Sequence, residues 1–111
     1  MSGITTHVLD TSRGGPAAGV AVVLERAVKS SWQPVARGVT DADGRASDLL
    51  SAPPQEGHYR LIFDTGAYFR AAGEADFYPE VSVTFVVGAG EEHYHVPLLL
   101  SPFGYSTYRG S

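Results

Sequence analysis

The sequence predicts an all-β protein, an antiparallel β-sandwich of seven or eight short strands with one short helix. Two observations lead to this prediction. Short runs rich in β-branched and aromatic residues recur along the chain, and Gly, Pro and Asp interrupt them about every ten residues. Regularly spaced short strands of this kind are typical of sandwiches.

The predicted strands alternate apolar and polar residues or are rich in Val, Ile and Thr. They are residues 4–10, 19–28, 32–39, 58–63, 80–87, 93–100 and 105–109. The second and third of these strands are expected to form one hairpin, and the strand that starts at residue 80 is expected to pair with the strand at 93 through a Gly-rich turn at 88–92.

Three other segments are predicted from turn and capping residues. Residues 40–45 (Thr-Asp-Ala-Asp-Gly-Arg) form a tight turn, and the chain leaves this turn at Arg45. Residues 47–56 contain two prolines and are expected to be a loop, with at most a short edge strand at 45–47. Residues 66–72 form the helix, capped by Asp64 or Thr65.

Composition limits the possible functions. The chain has 111 residues, a formal net charge of −4 and eight scattered basic residues, which argue for one domain (residues 1–111) and against nucleic acid or a membrane as partner. Without cysteine there can be no disulfide, thiolate nucleophile or cysteine zinc site. The first residues resemble no secretion signal, so a cytoplasmic protein is expected.

The strand at residues 93–100 carries the clearest candidate site. Because side chains alternate along a strand, two histidines share one face with a proline and a leucine, and the other face is apolar. The first face contains His93, His95, Pro97 and Leu99. The second face contains Tyr94, Val96, Leu98 and Leu100, and it is expected to lie in the core.

Further candidates are His7 in the first strand, Arg45 after the turn, and the ending Tyr-Arg-Gly-Ser. A histidine can take a proton from water near neutral pH, and the planar arginine fork can stabilise a developing oxyanion. These residue types suit hydrolysis of an activated carbonyl in a planar, anionic heterocycle. The sequence lacks the motifs of serine hydrolases, zinc proteases and nucleotide enzymes.

These residues lie in motifs that resemble the transthyretin-related 5-hydroxyisourate hydrolases over essentially the whole chain. The motifs are residues 6–11 with 15–17, residues 40–45, residues 93–102 and residues 105–111. The resemblance implies a transthyretin-like β-sandwich that assembles as a homotetramer, a dimer of dimers, with its sites at the dimer–dimer interface. It also implies hydrolysis of 5-hydroxyisourate, a purine-derived small molecule of urate degradation, to 2-oxo-4-hydroxy-4-carboxy-5-ureidoimidazoline without a cofactor.

By motif position, the resemblance implies three catalytic residues, His7, Arg45 and His95. The expected substrate-binding residues are His7, Arg45, Tyr108, Arg109, Gly110 and Ser111. Which histidine acts as the base stays open. Two alternatives also stay open: a zinc hydrolase that uses His7, His93 and His95 as ligands, and a transthyretin-like carrier that binds a small ligand without turning it over.

Overall fold

The computed structural model describes residues 3–90 and 93–110. This part of the chain forms nine strands and one helix. The elements are β1 (Gly3–Asp10), β2 (Gly15–Pro16), β3 (Ala21–Val28), β4 (Ser31–Val39), β5 (Arg45–Leu50), β6 (Gly57–Phe63), α1 (Thr65–Ala71), β7 (Val81–Val87), β8 (His93–Ser101) and β9 (Gly104–Thr107).

The strands form two sheets that pack face to face, which confirms the predicted β-sandwich. One sheet has the order β4-β3-β6-β7, and all its pairs are antiparallel. The other has the order β2-β1-β8-β9, and β5 also pairs with β1. The predicted hairpin of β3 and β4 is present, with Lys29 at a positive φ of 58° in its turn.

The pairing of β1 with β8 is parallel, which the antiparallel prediction did not include. Its register places Thr5 beside His95 and His7 beside Pro97. The same β1 pairs with β5 on its other side, where His7 lies opposite Arg45. Strand β1 therefore lies between β5 and β8. Segments from the first, middle and last parts of the sequence are side by side in this sheet.

The prediction that β7 and β8 form a hairpin was wrong. β7 pairs with β6 in the four-stranded sheet, whereas β8 pairs with β1 and β9 in the other sheet. Each of these strands has one apolar face, and the two faces pack against the same core from opposite sides. Strands β7 and β8 therefore belong to different sheets, and they do not form a hairpin.

Strand β5 is longer than the short edge strand predicted at residues 45–47. It pairs with β1 through Arg45, Ala46 and Leu50, and the register shifts between Ile4 and Thr6. Because of this irregularity, Ala46 and Leu49 are both buried although they are three residues apart. The bulge removes the period of two by which a strand is recognised in sequence.

The two faces of β8 are as predicted. Tyr94, Val96, Leu98 and Leu100 are at most 6% exposed and belong to the core, whereas His93 and His95 are half-buried on the other face. Since the core fills the space between the sheets, the two imidazoles lie on the outward face of the five-stranded sheet.

The helix is one residue earlier than predicted, and its caps agree with the sequence. The Asp64 side chain accepts a hydrogen bond from the Ala67 N–H, and Gly73 follows the helix at a φ of 72°. Tyr68 and Phe69 are buried as expected.

Within the described residues, no helix has the length and apolar character needed to cross a membrane.

Candidate active site

A cleft of about 590 Å³ lies on the outward face of the five-stranded sheet. Residues from β1, β5, β8 and the segment after β9 line it. They are Thr5, Thr6, His7, Arg45, Ser47, His93, His95, Tyr108 and Gly110. The structure thus brings together five residues that the sequence proposed for catalysis or substrate binding, although they are up to 103 positions apart in the chain.

His95 is fixed by its neighbour in the parallel ladder. Its Nδ1 is 2.8 Å from Thr5 Oγ1, and no described residue makes a hydrogen bond to its Nε2. Burial lowers the pKa of His95 below 6.5, and the positive charges of Arg45, His7 and His93 lower it further. The imidazole is therefore largely neutral at neutral pH, the form in which it can accept a proton.

His7 is held by the turn that precedes β5. Its Nε2 is 2.9 Å from the carbonyl oxygen of Asp43. A carbonyl only accepts hydrogen bonds, so Nε2 must carry the hydrogen and donate it. In the neutral ring this leaves Nδ1 as the basic nitrogen.

Arg45 is positioned by the same turn. Asp41 Oδ1 accepts hydrogen bonds from the backbone N–H groups of Asp43 (2.9 Å) and Arg45 (3.0 Å). Gly44 has a φ of 77° and lies against β1, where a methyl group in its place would be 2.4 Å from Val8 O. The turn therefore requires glycine, and it fixes Arg45 opposite His7.

The segment after β9 lies along β8. The Gly110 N–H donates a 2.8 Å hydrogen bond to His95 O. At the end of β9, just before this segment, Thr107 Oγ1 donates a hydrogen bond of 2.6 Å to Pro97 O. Tyr108 lines the cleft and is 57% exposed. The Arg109 guanidinium does not line the cleft, because it lies over the Tyr94 ring at 4.5 Å from its centroid. The predicted substrate-binding residue Ser111 lies outside the described residues.

His93 is the third imidazole of the cleft. Its ring is nearly parallel to that of His95, with centroids 6.5 Å apart and planes at 7°. Within residues 3–90 and 93–110, no group of three His, Cys, Asp or Glu side chains is arranged to hold a metal ion. The arrangement of His7, His93 and His95 therefore gives the zinc alternative no support.

The sequence reasoning missed Thr5, Thr6 and Ser47 as residues of the cleft. A signal for Thr5 was available, since it lies two positions before His7 and so shares its strand face. Ser47 is two positions after Arg45, so the short edge strand allowed at residues 45–47 would already place these two residues on one face. Thr6 donates a 2.6 Å hydrogen bond to Val96 O, which fastens β1 to β8 beneath the site.

Known proteins resemble this chain over nearly its whole length. The family described as HIUase/Transthyretin matches residues 4–110. The 5-hydroxyisourate hydrolase of Salmonella dublin is 49% identical over 111 aligned residues, which cover 97% of this chain and 80% of that protein.

Two solved structures agree. The Klebsiella pneumoniae 5-hydroxyisourate hydrolase has a TM-score of 0.88 and 43% identity, with 100% of both chains covered. Sea bream transthyretin, solved in complex with thyroxine, has a TM-score of 0.88 and 36% identity, with 96% of this chain and 93% of that chain covered. With sequence and fold both matched from end to end, the chain belongs to the HIUase/Transthyretin family.

Proposed function

We propose that this protein is a 5-hydroxyisourate hydrolase of urate degradation, which converts its substrate to 2-oxo-4-hydroxy-4-carboxy-5-ureidoimidazoline. The relatives that bear this name, among them the protein from Salmonella dublin, support the hydrolase activity. The observation that carries the proposal is the convergence of His7, Arg45 and His95 in one cleft from three adjacent strands.

In the proposed reaction, a histidine of the cleft takes a proton from water. The water oxygen bonds to the ring carbonyl carbon beside the amide nitrogen, and the carbon–nitrogen bond breaks. The nitrogen leaves with the proton that the histidine had taken, which opens the ring. General base catalysis of this kind contributes about 10²- to 10⁴-fold to a rate.

His95 and His7 are both suited to act as the general base. The lowered pKa of His95 keeps it neutral at neutral pH. The hydrogen bond from His7 to the Asp43 carbonyl fixes its tautomer and holds its ring in place. The positively charged Arg45 then binds the substrate edge and stabilises the oxyanion, because its planar fork of N–H donors can bond to the carbonyl oxygens at that edge.

The segment that follows β9 is proposed to close the pocket. Tyr108 and Gly110 line the cleft beside His95, where they limit the space available to the substrate ring. Such contacts orient a substrate and exclude water from its other faces.

We also propose a homotetramer, a dimer of dimers, with the clefts at the dimer–dimer interface. The cleft is on an outward face, and Arg45 and Tyr108 are exposed there, so a second copy over this face would enclose the site. Sedimentation should give the mass of four chains, and a monomer with full turnover would contradict this assembly.

The cytoplasmic location stays a prediction.

Absorbance measurements test the activity. Protein added to freshly generated 5-hydroxyisourate should accelerate the decay of its ultraviolet band well above the uncatalysed rate. The alternative function, a carrier that binds a small ligand without turning it over, is tested in the same way. The sea bream relative is the reason to test it, because that protein is a transthyretin in complex with thyroxine. Binding of a small hydrophobic ligand without any acceleration would favour the carrier.

A further inference from the structure

The segment after β9 is attached to two consecutive residues of β8, on opposite faces of that strand. Gly110 bonds to the backbone of His95, beside the cleft. Arg109 places its guanidinium over the ring of Tyr94, which points the other way, towards the core. The two attachments therefore fix the segment from both sides of the sheet.

The Tyr94 ring is a rigid platform for this contact. It is 4% exposed, and its hydroxyl accepts a 2.8 Å hydrogen bond from the Gly88 N–H after β7. Arg109 and Tyr94 line a second, smaller cavity of about 260 Å³ between the edges of the two sheets. Tyr108 lines both this cavity and the cleft, so the segment is the wall between them.

We propose that Arg109 is a positioning residue that holds Tyr108 and Gly110 over the cleft through its contact with Tyr94. It does so without touching the substrate, which differs from the substrate-binding role expected for it from the sequence. The consequence for turnover rests on the proposed hydrolase function. The attachment of the segment does not, and can be measured separately.

The physical basis is the attraction between a cation and the negative face of an aromatic ring. At an exposed position such a contact changes a local equilibrium by about two- to fivefold. Because Arg109 and Gly110 are adjacent, releasing the guanidinium frees the chain beside the hydrogen bond of Gly110 to His95. That bond should then open more often.

Hydrogen exchange tests the attachment. In the full-length protein, Arg109→Ala should speed amide exchange in the C-terminal peptide containing Gly110 by about two- to fivefold. Arg109→Lys should retain most of the protection, because an ammonium also binds a ring face. Arg37→Ala removes an exposed arginine of β4 in the other sheet and should change nothing. Unchanged exchange in Arg109→Ala would overturn the proposal.

A double-mutant cycle on hydrolysis separates positioning from substrate contact. If Arg109 acts through Tyr94, Arg109→Ala should lower kcat/KM, mainly by raising KM, and should have little further effect in a Tyr94→Leu background. Tyr94→Phe keeps the ring and should leave the effect of Arg109→Ala intact. Equal effects of Arg109→Ala in the wild-type and Tyr94→Leu backgrounds would show direct substrate contact and overturn the proposal.

The two measurements also distinguish possible failures. If Tyr94→Leu unfolds, which circular dichroism would show, the exchange comparison of Arg109→Ala with Arg109→Lys still decides. If the wild-type protein does not hydrolyse 5-hydroxyisourate, the proposed function fails, whereas faster exchange in Arg109→Ala alone would still support the attachment.

Discussion

Gly110 lies directly against the imidazole of His95. A methyl group in place of one Gly110 hydrogen would be only 2.6 Å from His95 Cδ2, so something would have to shift. It would also be 3.3 Å from Pro97 Cγ, slightly closer than an ordinary contact. The same glycine donates its N–H to the His95 carbonyl. The segment after β9 therefore packs on the candidate base at a distance that only glycine permits.

Gly110→Ala should lower kcat/KM by about tenfold or more, because either the His95 ring or the segment must move, and small misplacements of catalytic groups are costly. Steady-state hydrolysis measures this, and thermal unfolding should show little change. Gly15→Ala in β2 is a matched control, since nothing lies within 4 Å of the added methyl group. Similar activity in both variants would contradict the close packing.

The state of His95 should depend on pH in a defined direction. Burial, followed by the positive charges of Arg45, His7 and His93, lowers its pKa below 6.5. As the pH falls from 6.5, the unfolded chain takes up a proton at this residue before the folded protein does. Folding stability due to His95 is therefore present above pH 6.5 and is lost as the pH falls towards the lowered pKa.

An NMR titration of the His95 ring protons checks this, and His93→Gln should raise the pKa of His95 by removing one of the neighbouring charges. Kinetics should agree, with kcat/KM retained to a lower pH than a solvent-exposed histidine would allow. A His95 that titrates at or above 6.5 would contradict the expected environment.

The turn before β5 should depend on an acceptor at position 41 and not on its charge. Asp41 Oδ1 accepts the N–H groups of Asp43 and Arg45, and the bond from Arg45 is the main reason why the pKa of Asp41 is lowered. Asp41→Asn keeps a carbonyl acceptor and should change kcat/KM little. Asp41→Ala should lower it about two- to tenfold, because both N–H groups of the turn lose their acceptor.

Equal losses in the two Asp41 variants would show that the charge, and not the turn, matters. Thermal unfolding of both proteins provides the necessary control, because a general loss of folding would lower turnover without reporting on Arg45.

Much of this arrangement follows from local sequence patterns. The alternation in β8 predicted which side chains enter the core and which reach the cleft, and the turn composition before Arg45 predicted a tight turn. These features depend on neighbouring residues, so a single sequence displays them. The resemblance to known hydrolases then supplied His7, Arg45 and His95 as one set.

Other features depend on distant parts of the chain. The parallel pairing of β1 with β8 joins residues about ninety positions apart, and no local pattern encodes it. The bulge in β5 concealed a strand, and the change of sheet after β7 looked like a hairpin. The orientation of the Arg109 side chain depends on its contact with the Tyr94 ring, and only the folded core places that ring beside Arg109.

Asp10 should be a main contributor to stability away from the cleft. It is fully buried at the end of β1, where it accepts hydrogen bonds from the Tyr68 hydroxyl (2.7 Å), the Ser12 hydroxyl (2.7 Å) and the N–H groups of Ser12 and Arg13. Asp10→Asn should lower the free energy of unfolding by about 1–3 kcal/mol, because an amide cannot accept all of these bonds. Urea unfolding at pH 7 measures this loss.

Acid should remove the same contribution. Burial alone would raise the pKa of Asp10, but the hydrogen bonds from Ser12, Tyr68 and Arg13 lower it below 3.8. The stabilisation is therefore present above pH 3.8 and is lost as the pH falls through the lowered value. The Asp10→Asn protein should lack this part of the acid dependence, and parallel curves for the two proteins would contradict the assignment.

The most direct test of the active-site assignment is the rate of 5-hydroxyisourate hydrolysis in single variants of the cleft. His7→Ala, Arg45→Ala and His95→Ala should each lower kcat/KM by about 10²-fold or more, with circular dichroism spectra like that of the wild type. His58→Gln, on the exposed face of β6 in the opposite sheet, should keep wild-type turnover. Near-wild-type turnover in a folded cleft variant would contradict the role of that residue in catalysis.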